Sequence, residues 1–152
     1  QQQIGLNDFE QHELPNYCEA GKVSKHNTSY WKSSPYLRLG PSAHSYNGRS
    51  RQWNISNNAQ YLRSMENGKS FYEKEELSAE DRYHEYLITS LRTKWGVDKK
   101  TIKEQFPDFE THFYNQLKKL DVNLFSEDES KVVVEREHWF QSDFIVRALM
   151  LP

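Results

Sequence analysis

The most regular pattern of apolar residues lies in the second half of the chain. Tyr83, Leu87 and Leu91 recur at four-residue spacing, which places them on one face of a helix. The tetrapeptide that starts at Ser78 has the S-x-x-D form of a capping box, in which a hydroxyl group caps the first turn. The pattern predicts a helix that begins after Ser78 and runs to about Lys94.

Shorter elements are predicted to follow this helix. Asp98 is placed to cap a second helix that runs to Phe106, and Pro107 is placed at the start of a third. The β-branched run Val132-Val133-Val134 predicts a strand that pairs with Leu124-Phe125 across an acidic turn. Apolar residues recur at helical spacing again over residues 139–149. The third helix is predicted to bury Phe109, Phe113, Leu117 and Leu120.

Turn-forming residues are frequent in the first 50 positions, so any strands there are predicted to be short. Apolar alternation predicts strands from Phe9 to Leu14 and from Leu37 to Leu39. Residues 58–66 are predicted to form a short helix, and the rest of residues 51–76 is predicted to be a connector. The helices and the hairpin predicted for residues 77–152 have the order of a winged-helix-like unit. Together with the short strands of the first half, they predict an α+β protein.

Composition narrows the classes of function. The chain has 152 residues and a formal net charge of −2, with Lys and Arg spread among the acids. The third helix offers only Lys118 and Lys119, and the hairpin turn is acidic, so nucleic-acid binding is not predicted. No apolar run reaches the length of a membrane helix. A single cysteine, Cys18, excludes an internal disulfide and predicts a cytoplasmic location.

Candidate chemistry is concentrated in the hexapeptide His26-Asn27-Thr28-Ser29-Tyr30-Trp31. A neutral imidazole can ligate a metal, and flat aromatic side chains can wall a pocket for a flat ligand. No helix or strand pattern covers these residues, so they are predicted to form a loop. On residue types alone, a solvated histidine beside ordinary core aromatics is the alternative to a ligand site.

Four segments of the chain have the form of motifs from one protein family. Residues 26–31 match H-N-x-x-Y-W, and residues 91–98 match L-R-T-x-x-G-V-D. Residues 9–18 are similar to F-x-x-Y-E-I-S-N-F-A, and residues 36–45 are similar to Y-L-G-L-G-A-G-A-H-S. The chain therefore resembles the HemW family of radical-SAM-fold heme chaperones, which are related to the oxygen-independent coproporphyrinogen III oxidases (HemN).

The resemblance implies a domain organisation and a set of site residues. Residues 1–50 are the expected tail of a partial (β/α) radical-SAM barrel, residues 51–76 a connector, and residues 77–152 the winged-helix-like C-terminal domain. By the same resemblance, His26 is the candidate axial ligand of a heme iron. Asn27 belongs to the same motif, and Tyr30 and Trp31 are the expected pocket walls. His44 falls where related enzymes contact a nucleoside.

The resemblance also places Pro15 and Arg38 beside the S-adenosylmethionine (SAM) pocket, where both depart from the family pattern. Proline removes a backbone donor and arginine adds bulk where glycine is usual, which argues against ordinary SAM binding. Glu13 is either an inward-facing carboxylate of a barrel strand or a surface acid. Arg92 is expected to pair with an acid across a domain interface.

The implied function is to bind heme and to deliver it to acceptor proteins. The parent protein is expected to use a [4Fe-4S] cluster and SAM. This chain lacks the C-x-x-x-C-x-x-C motif, so it is expected to hold no cluster and to be inactive alone. It begins with glutamine rather than methionine, which suggests a piece of a longer protein.

Two alternative functions come from other classes. The chain is either part of a coproporphyrinogen III oxidase, which decarboxylates its substrate through a SAM-derived radical, or a partner-binding winged-helix module. Exposed barrel edges would in addition favour a homodimer, because unpaired strands readily pair with a second chain.

Overall fold

The computed structural model describes residues 9–14 and 16–152. They divide into two units, one formed by residues up to Lys32 with Ala79–Pro152 and the other by Ser33–Ser78. The predicted domains at 1–50, 51–76 and 77–152 stay a prediction. Across the described ranges, none of the helices has the length and apolar character that crossing a bilayer requires.

The elements of the two units alternate along the chain. The first unit begins with β1 (Phe9–Gln11), β2 (Tyr17–Glu19) and α1 (Lys25–Trp31). The second unit follows with β3 (His44–Tyr46), β4 (Ser50–Asn54), α2 (Asn58–Glu66) and β5 (Tyr72–Glu76). The first unit resumes with α3 (Ala79–Ser90), β6 (Val97–Asp98), α4 (Lys99–Gln105), α5 (Pro107–Leu117), β7 (Phe125–Glu127), β8 (Lys131–Val134) and α6 (Ser142–Leu149). Short 3₁₀ turns cover Val122–Leu124 and Arg136–Gln141.

The apolar stripe of α3 forms the centre of the first unit's core. Tyr83, Leu87 and Leu91 are fully buried, which confirms the predicted face of this helix. Buried side chains from the later elements complete the core: Val97, Ile102, Phe106, Phe113, Leu117, Leu124, Phe125, Val132, Val134, Trp139, Ile145, Val146 and Leu149. The helix ends at Ser90 rather than near Lys94, because the chain turns there and Thr93 forms a backbone bridge with Glu13.

The helices and hairpin after α3 follow the local signals in the sequence. Asp98 caps α4, its carboxylate accepting from the backbone N–H of Lys100 at 2.7 Å and of Thr101 at 3.2 Å. Pro107 begins α5, and β7 pairs antiparallel with β8, so these predicted elements are confirmed. Strand β8 also pairs with β6, so the order of this sheet is β6-β8-β7. In the acidic turn, the hydroxyl and backbone N–H of Ser130 hydrogen-bond the Asp128 carboxylate and lower its pKa.

Side chains of three helical residues hold the end of the chain against this core. The Tyr83 hydroxyl donates to the carbonyl of Leu149 at 3.0 Å. The backbone N–H of Leu151 donates to His84 Nε2 at 3.0 Å, and His112 Nε2 lies 3.0 Å from the carbonyl oxygen of Met150. Burial raises the pKa of the Tyr83 phenol, so its hydroxyl keeps the proton that it donates.

The hexapeptide motif is helical, so the predicted loop at residues 26–31 is wrong. Helix α1 covers Lys25–Trp31, and the Ser24 hydroxyl caps it by accepting from the backbone N–H of Asn27 at 3.3 Å. None of its residues is fully buried. A helix that buries no residue needs no apolar stripe, which explains why the periodic pattern did not reveal it.

The second unit contains strands where the sequence predicted a connector. Strands β3, β4 and β5 form an antiparallel sheet in that order, with Trp53 opposite both His44 and Glu73. Helix α2 confirms the prediction over residues 58–66. The predicted strand at Leu37–Leu39 is wrong, since both leucines are more than three-quarters exposed and lie outside the strands.

Candidate functional site

Helix α1 presents His26 to solvent with an aromatic ring at its side. The imidazole of His26 is exposed and meets the ring of Tyr30, one turn later, edge to face at 5.1 Å between centroids. Residues four apart share one face of a helix, which explains this contact. Within the described residues, no hydrogen bond engages either ring nitrogen of His26. The imidazole is therefore an accessible nitrogen donor.

The side chain of Asn27, unlike that of His26, contacts another segment of the first unit. Its Nδ2 donates to Glu13 Oε1 at 3.3 Å, and the residue is half-buried. Trp31 is half-buried as well, at the last position of the helix. The amide of Asn27 thus ties the helix to the segment after β1.

Glu13 is completely buried, which resolves the alternative between an inward-facing and a surface carboxylate. Its Oε1 accepts from Asn16 Nδ2 as well as from Asn27, and His12 Nε2 lies 3.9 Å away. Gln11 and His12 are also buried. The sequence did not reveal this polar cluster, because polar residues in and just after a short strand give no indication of which side chains are buried. Asn27, next to His26 in the sequence, was the one residue of the candidate motif that pointed to this cluster.

Backbone and ionic contacts fix the segment that carries Glu13. The N–H of Leu14 donates to the carbonyl of Arg92, and the N–H of Lys94 donates to the carbonyl of His12, each at 3.0 Å. The Lys94 ammonium group hydrogen-bonds Glu10 at 2.8 Å and lowers the pKa of that carboxyl. The chain around residue 93 therefore supports the segment after β1 that carries the buried carboxylate.

Arg92 has the acidic partner that the sequence predicted, but within its own unit. Its Nη2 donates to Asp143 Oδ1 on α6 at 2.7 Å, and both residues belong to the first unit. The Arg92 guanidinium holds the pKa of the Asp143 carboxyl below its usual value. The prediction that Arg92 pairs with an acid is therefore confirmed, and the prediction that this pair crosses a domain interface is wrong.

His44 lies in the second unit, at the edge of a polar cavity of about 360 Å³. The imidazole is exposed, and Trp53 lines the same cavity and donates from Nε1 to Glu73 at 3.1 Å. A second cavity of about 420 Å³ in this unit is lined by Tyr36, Leu37, Tyr46 and Lys74 among others. His26 lines neither of these two cavities.

Pro15, Arg38 and Ser42 depart from the family pattern, and the structure describes the last two. Pro15 lies outside the described residues, and its predicted place beside a SAM pocket stays a prediction. Arg38 is exposed, with its guanidinium 5.5 Å from the ring centre of Tyr36. Ser42, which stands where the family motif has glycine, adopts a left-handed backbone with φ of 58°. Glycine adopts that conformation without steric cost, which explains the motif at this position.

The chain does not provide the ligands of an iron–sulfur cluster. Its one cysteine, Cys18, is half-buried in β2, and such a cluster needs several thiolates. Over residues 9–14 and 16–152, no group of three His, Cys, Asp or Glu side chains is placed to hold a metal ion. The residues of this chain therefore do not fit a [4Fe-4S] cluster.

The family model and the related proteins found for this chain agree with each other. The family model of the HemN C-terminal domain matches residues 77–139. The heme chaperone HemW of Bacillus subtilis is 33% identical over 97 residues, which cover 63% of this chain and 26% of that protein. HemW of Lactococcus lactis is 30% identical over 118 residues, 77% of this chain and 31% of that protein. The chain thus spans about a quarter to a third of these relatives' length.

A solved structure shares the fold of the chain. The coproporphyrinogen III oxidase HemN from Escherichia coli, described as a radical SAM enzyme, superposes with a TM-score of 0.71 at 16% identity. The match covers 97% of this chain and 38% of that one. At this identity the likeness concerns the fold, and it agrees with the predicted mixture of helices and strands.

Proposed function

Because this chain belongs to the HemW- and HemN-like radical SAM family, we propose that it binds heme through His26 for delivery to acceptor proteins. The observation that carries the proposal is the exposed His26 imidazole, braced by the Tyr30 ring on the same face of α1. A neutral imidazole nitrogen is a common axial ligand of heme iron, and an aromatic ring offers apolar surface to the porphyrin.

An open site suits the transfer of heme. A donor on the surface of a short helix leaves the other face of the porphyrin accessible, so an acceptor protein can supply its own ligand before His26 is released. Trp31, at the end of α1, is proposed as a further apolar contact and Asn27 as part of the same site. The metal contact assigned to this chain is the one from His26 to the heme iron.

Hemin titration of the full chain tests the role of His26. We expect a Soret band characteristic of histidine ligation in the wild type, and binding weakened by about tenfold or more in His26→Ala. Exogenous imidazole in the buffer should restore the ligand band of a His26→Gly variant, because the small molecule fills the space of the missing ring.

His44→Ala is the matched control, since His44 is also exposed but belongs to the second unit. It should bind hemin as the wild type does. A His26→Ala protein with the wild-type spectrum and affinity would remove His26 from the proposal. Loss of the ligand band in His44→Ala instead would move the heme site to the second unit.

The oxidase alternative rests on the likeness of the fold to HemN. Radical decarboxylation needs the cluster and SAM of a complete barrel, and the single cysteine of this chain cannot hold that cluster. Activity on coproporphyrinogen would therefore belong to a longer parent protein. The nucleoside contact at His44 belongs to that alternative and is proposed only with it.

The finer architectural assignments are part of the same proposal. We assign residues 1–50 to the tail of a partial radical SAM barrel, residues 51–76 to a connector and residues 77–152 to a winged-helix-like unit. The order of three helices, hairpin and helix in residues 77–152 supports the last assignment. Use of this unit for partner binding is the second alternative. A homodimer through barrel edges and a cytoplasmic location remain predictions. The acidic turn Glu127–Ser130 disfavours contact with a nucleic-acid backbone.

A further inference from the structure

The buried carboxylate of Glu13 and the histidine proposed as heme ligand are linked through one side chain. Asn27 follows His26 in α1, and its Nδ2 donates to Glu13 Oε1 at 3.3 Å. Successive residues of a helix point about 100° apart, so Asn27 faces the protein while His26 is exposed to solvent and contacts the half-buried ring of Tyr30. The orientation of His26 and Tyr30 therefore depends on where Asn27 is held.

Helix α1 needs such an attachment. It has seven residues, none of them fully buried, and helices of this length are not stable alone in water. The Ser24 cap satisfies its first turn but does not orient it against the rest of the unit. The Asn27 amide provides a directional bond to a side chain 14 residues earlier in the chain.

Glu13 is a firm point of attachment. Its exposed fraction is zero, and Asn16 donates to the same oxygen that Asn27 engages. A buried carboxylate is costly unless hydrogen bonds compensate it, so it favours any conformation of α1 in which Asn27 donates. The backbone bridge between Glu13 and Thr93 holds the main chain of Glu13 in place.

We infer that Glu13 is a positioning residue, which holds Asn27 and thereby sets the angle at which His26 and Tyr30 meet a heme. The inference rests on the proposed heme-binding role of His26. It also assigns a function to the second residue of the H-N-x-x-Y-W motif: Asn27 is the link to the protein interior, not a contact to the porphyrin.

An exchange of the two polar groups tests the link in the full chain, with hemin as the probe. Asn27→Asp places a second carboxylate against Glu13, whereas the double variant Asn27→Asp with Glu13→Gln restores one amide donor and one carboxylate acceptor. Aspartate in the first turn is favourable for a helix, so the single variant does not weaken α1 itself. We expect hemin affinity to fall about tenfold in Asn27→Asp and to return to within about twofold in the double variant.

The His26→Ala background separates the inference from the proposed function. If His26 positions the heme, Asn27→Asp should lower affinity in the wild-type background and have no further effect once His26 is replaced. If His26→Ala leaves hemin binding unchanged, the proposed function fails first. If His26→Ala weakens binding but Asn27→Asp does not, only the positioning role fails.

A purely structural effect is distinguished by the shape of the heme spectrum and by unfolding. The inference predicts a shifted low-spin Soret band in Asn27→Asp, with both the wild-type band and the wild-type urea midpoint restored by the double variant. A midpoint that falls together with affinity, without recovery in the double variant, would overturn it.

Discussion

Gly96 is the position where one added methyl group has the largest expected effect. It lies in the turn between α3 and β6 with φ of 67°, the left-handed region. A Cβ atom there would stand 2.2 Å from the carbonyl oxygen of Val132 and 2.7 Å from Cγ2 of Val133. The glycine therefore serves both the turn and the close approach of β8, and we predict that Gly96→Ala strongly destabilises the first unit.

The magnitude follows from two contributions. A left-handed backbone costs an L-residue about 1–2 kcal/mol relative to glycine. Ordinary contact begins near 3.4 Å, so the backbone at Val132 must also move by about 1 Å. That displacement disturbs a strand whose Val132 and Val134 are 1% exposed, and overpacking of this kind costs roughly 1–3 kcal/mol. We expect a loss of about 3–4 kcal/mol in the free energy of unfolding.

Urea unfolding followed by far-UV circular dichroism and tryptophan fluorescence measures this loss, and Trp139 in the core reports on the same unit. Gly21→Ala is the matched control, because Gly21 has φ of 76° in that unit but nothing within 4 Å of an added Cβ. It should lose only the backbone contribution of about 1–2 kcal/mol. Equal losses in the two variants would refute the claim that the approach of β8 requires glycine.

Two further predictions concern single residues of each unit. Ser42→Gly should stabilise the second unit by about 0.5–1 kcal/mol in thermal unfolding. Glycine relieves the left-handed strain at φ of 58°, and the hydrogen bond from the N–H of residue 42 to the carbonyl of Ile55 remains. An unchanged melting temperature would contradict this prediction. Arg92→Met should cost no more than about 0.5 kcal/mol at neutral pH, because the Asp143 carboxylate is 64% exposed. Since the pKa of Asp143 is lowered from 3.8, this stabilisation is complete above that value and is lost as pH falls through the lower folded pKa. Unfolding curves of the two proteins should converge in acid, and a difference that persists there would contradict the assignment.

The second half of the chain was predictable because its signals are local. Asp98 as a cap, Pro107 at a helix start and the β-branched run of β8 each act within a few residues, and the structure has those elements at those positions. The stripe of α3 was predictable because this helix buries its apolar face. The end of α3 was misplaced, since a contact with a distant segment determines it. The last helix begins at Ser142 rather than at Trp139, because the chain forms a 3₁₀ turn over Arg136–Gln141.

The first half was less predictable because its elements bury little apolar surface. Strand β5 is exposed at every residue, so no alternation of apolar and polar residues marks it. The alternating Leu37 and Leu39 are exposed instead. The candidate site was predicted as a set of residues around His26, but the role of Asn27 depends on the burial of Glu13, which only tertiary structure reveals.

The hydrogen bonds that fix residues 149–151 have a consequence for biosynthesis. Tyr83 and its bonded carbonyl at Leu149 are 66 positions apart, so the partner of α3 is translated long after the helix itself. A growing polypeptide can form α3 early, but its stripe stays partly uncovered until α6 and residues 149–151 have been translated. During that interval the nascent chain exposes apolar surface, which is the condition under which chaperones are recruited and premature termination yields aggregates.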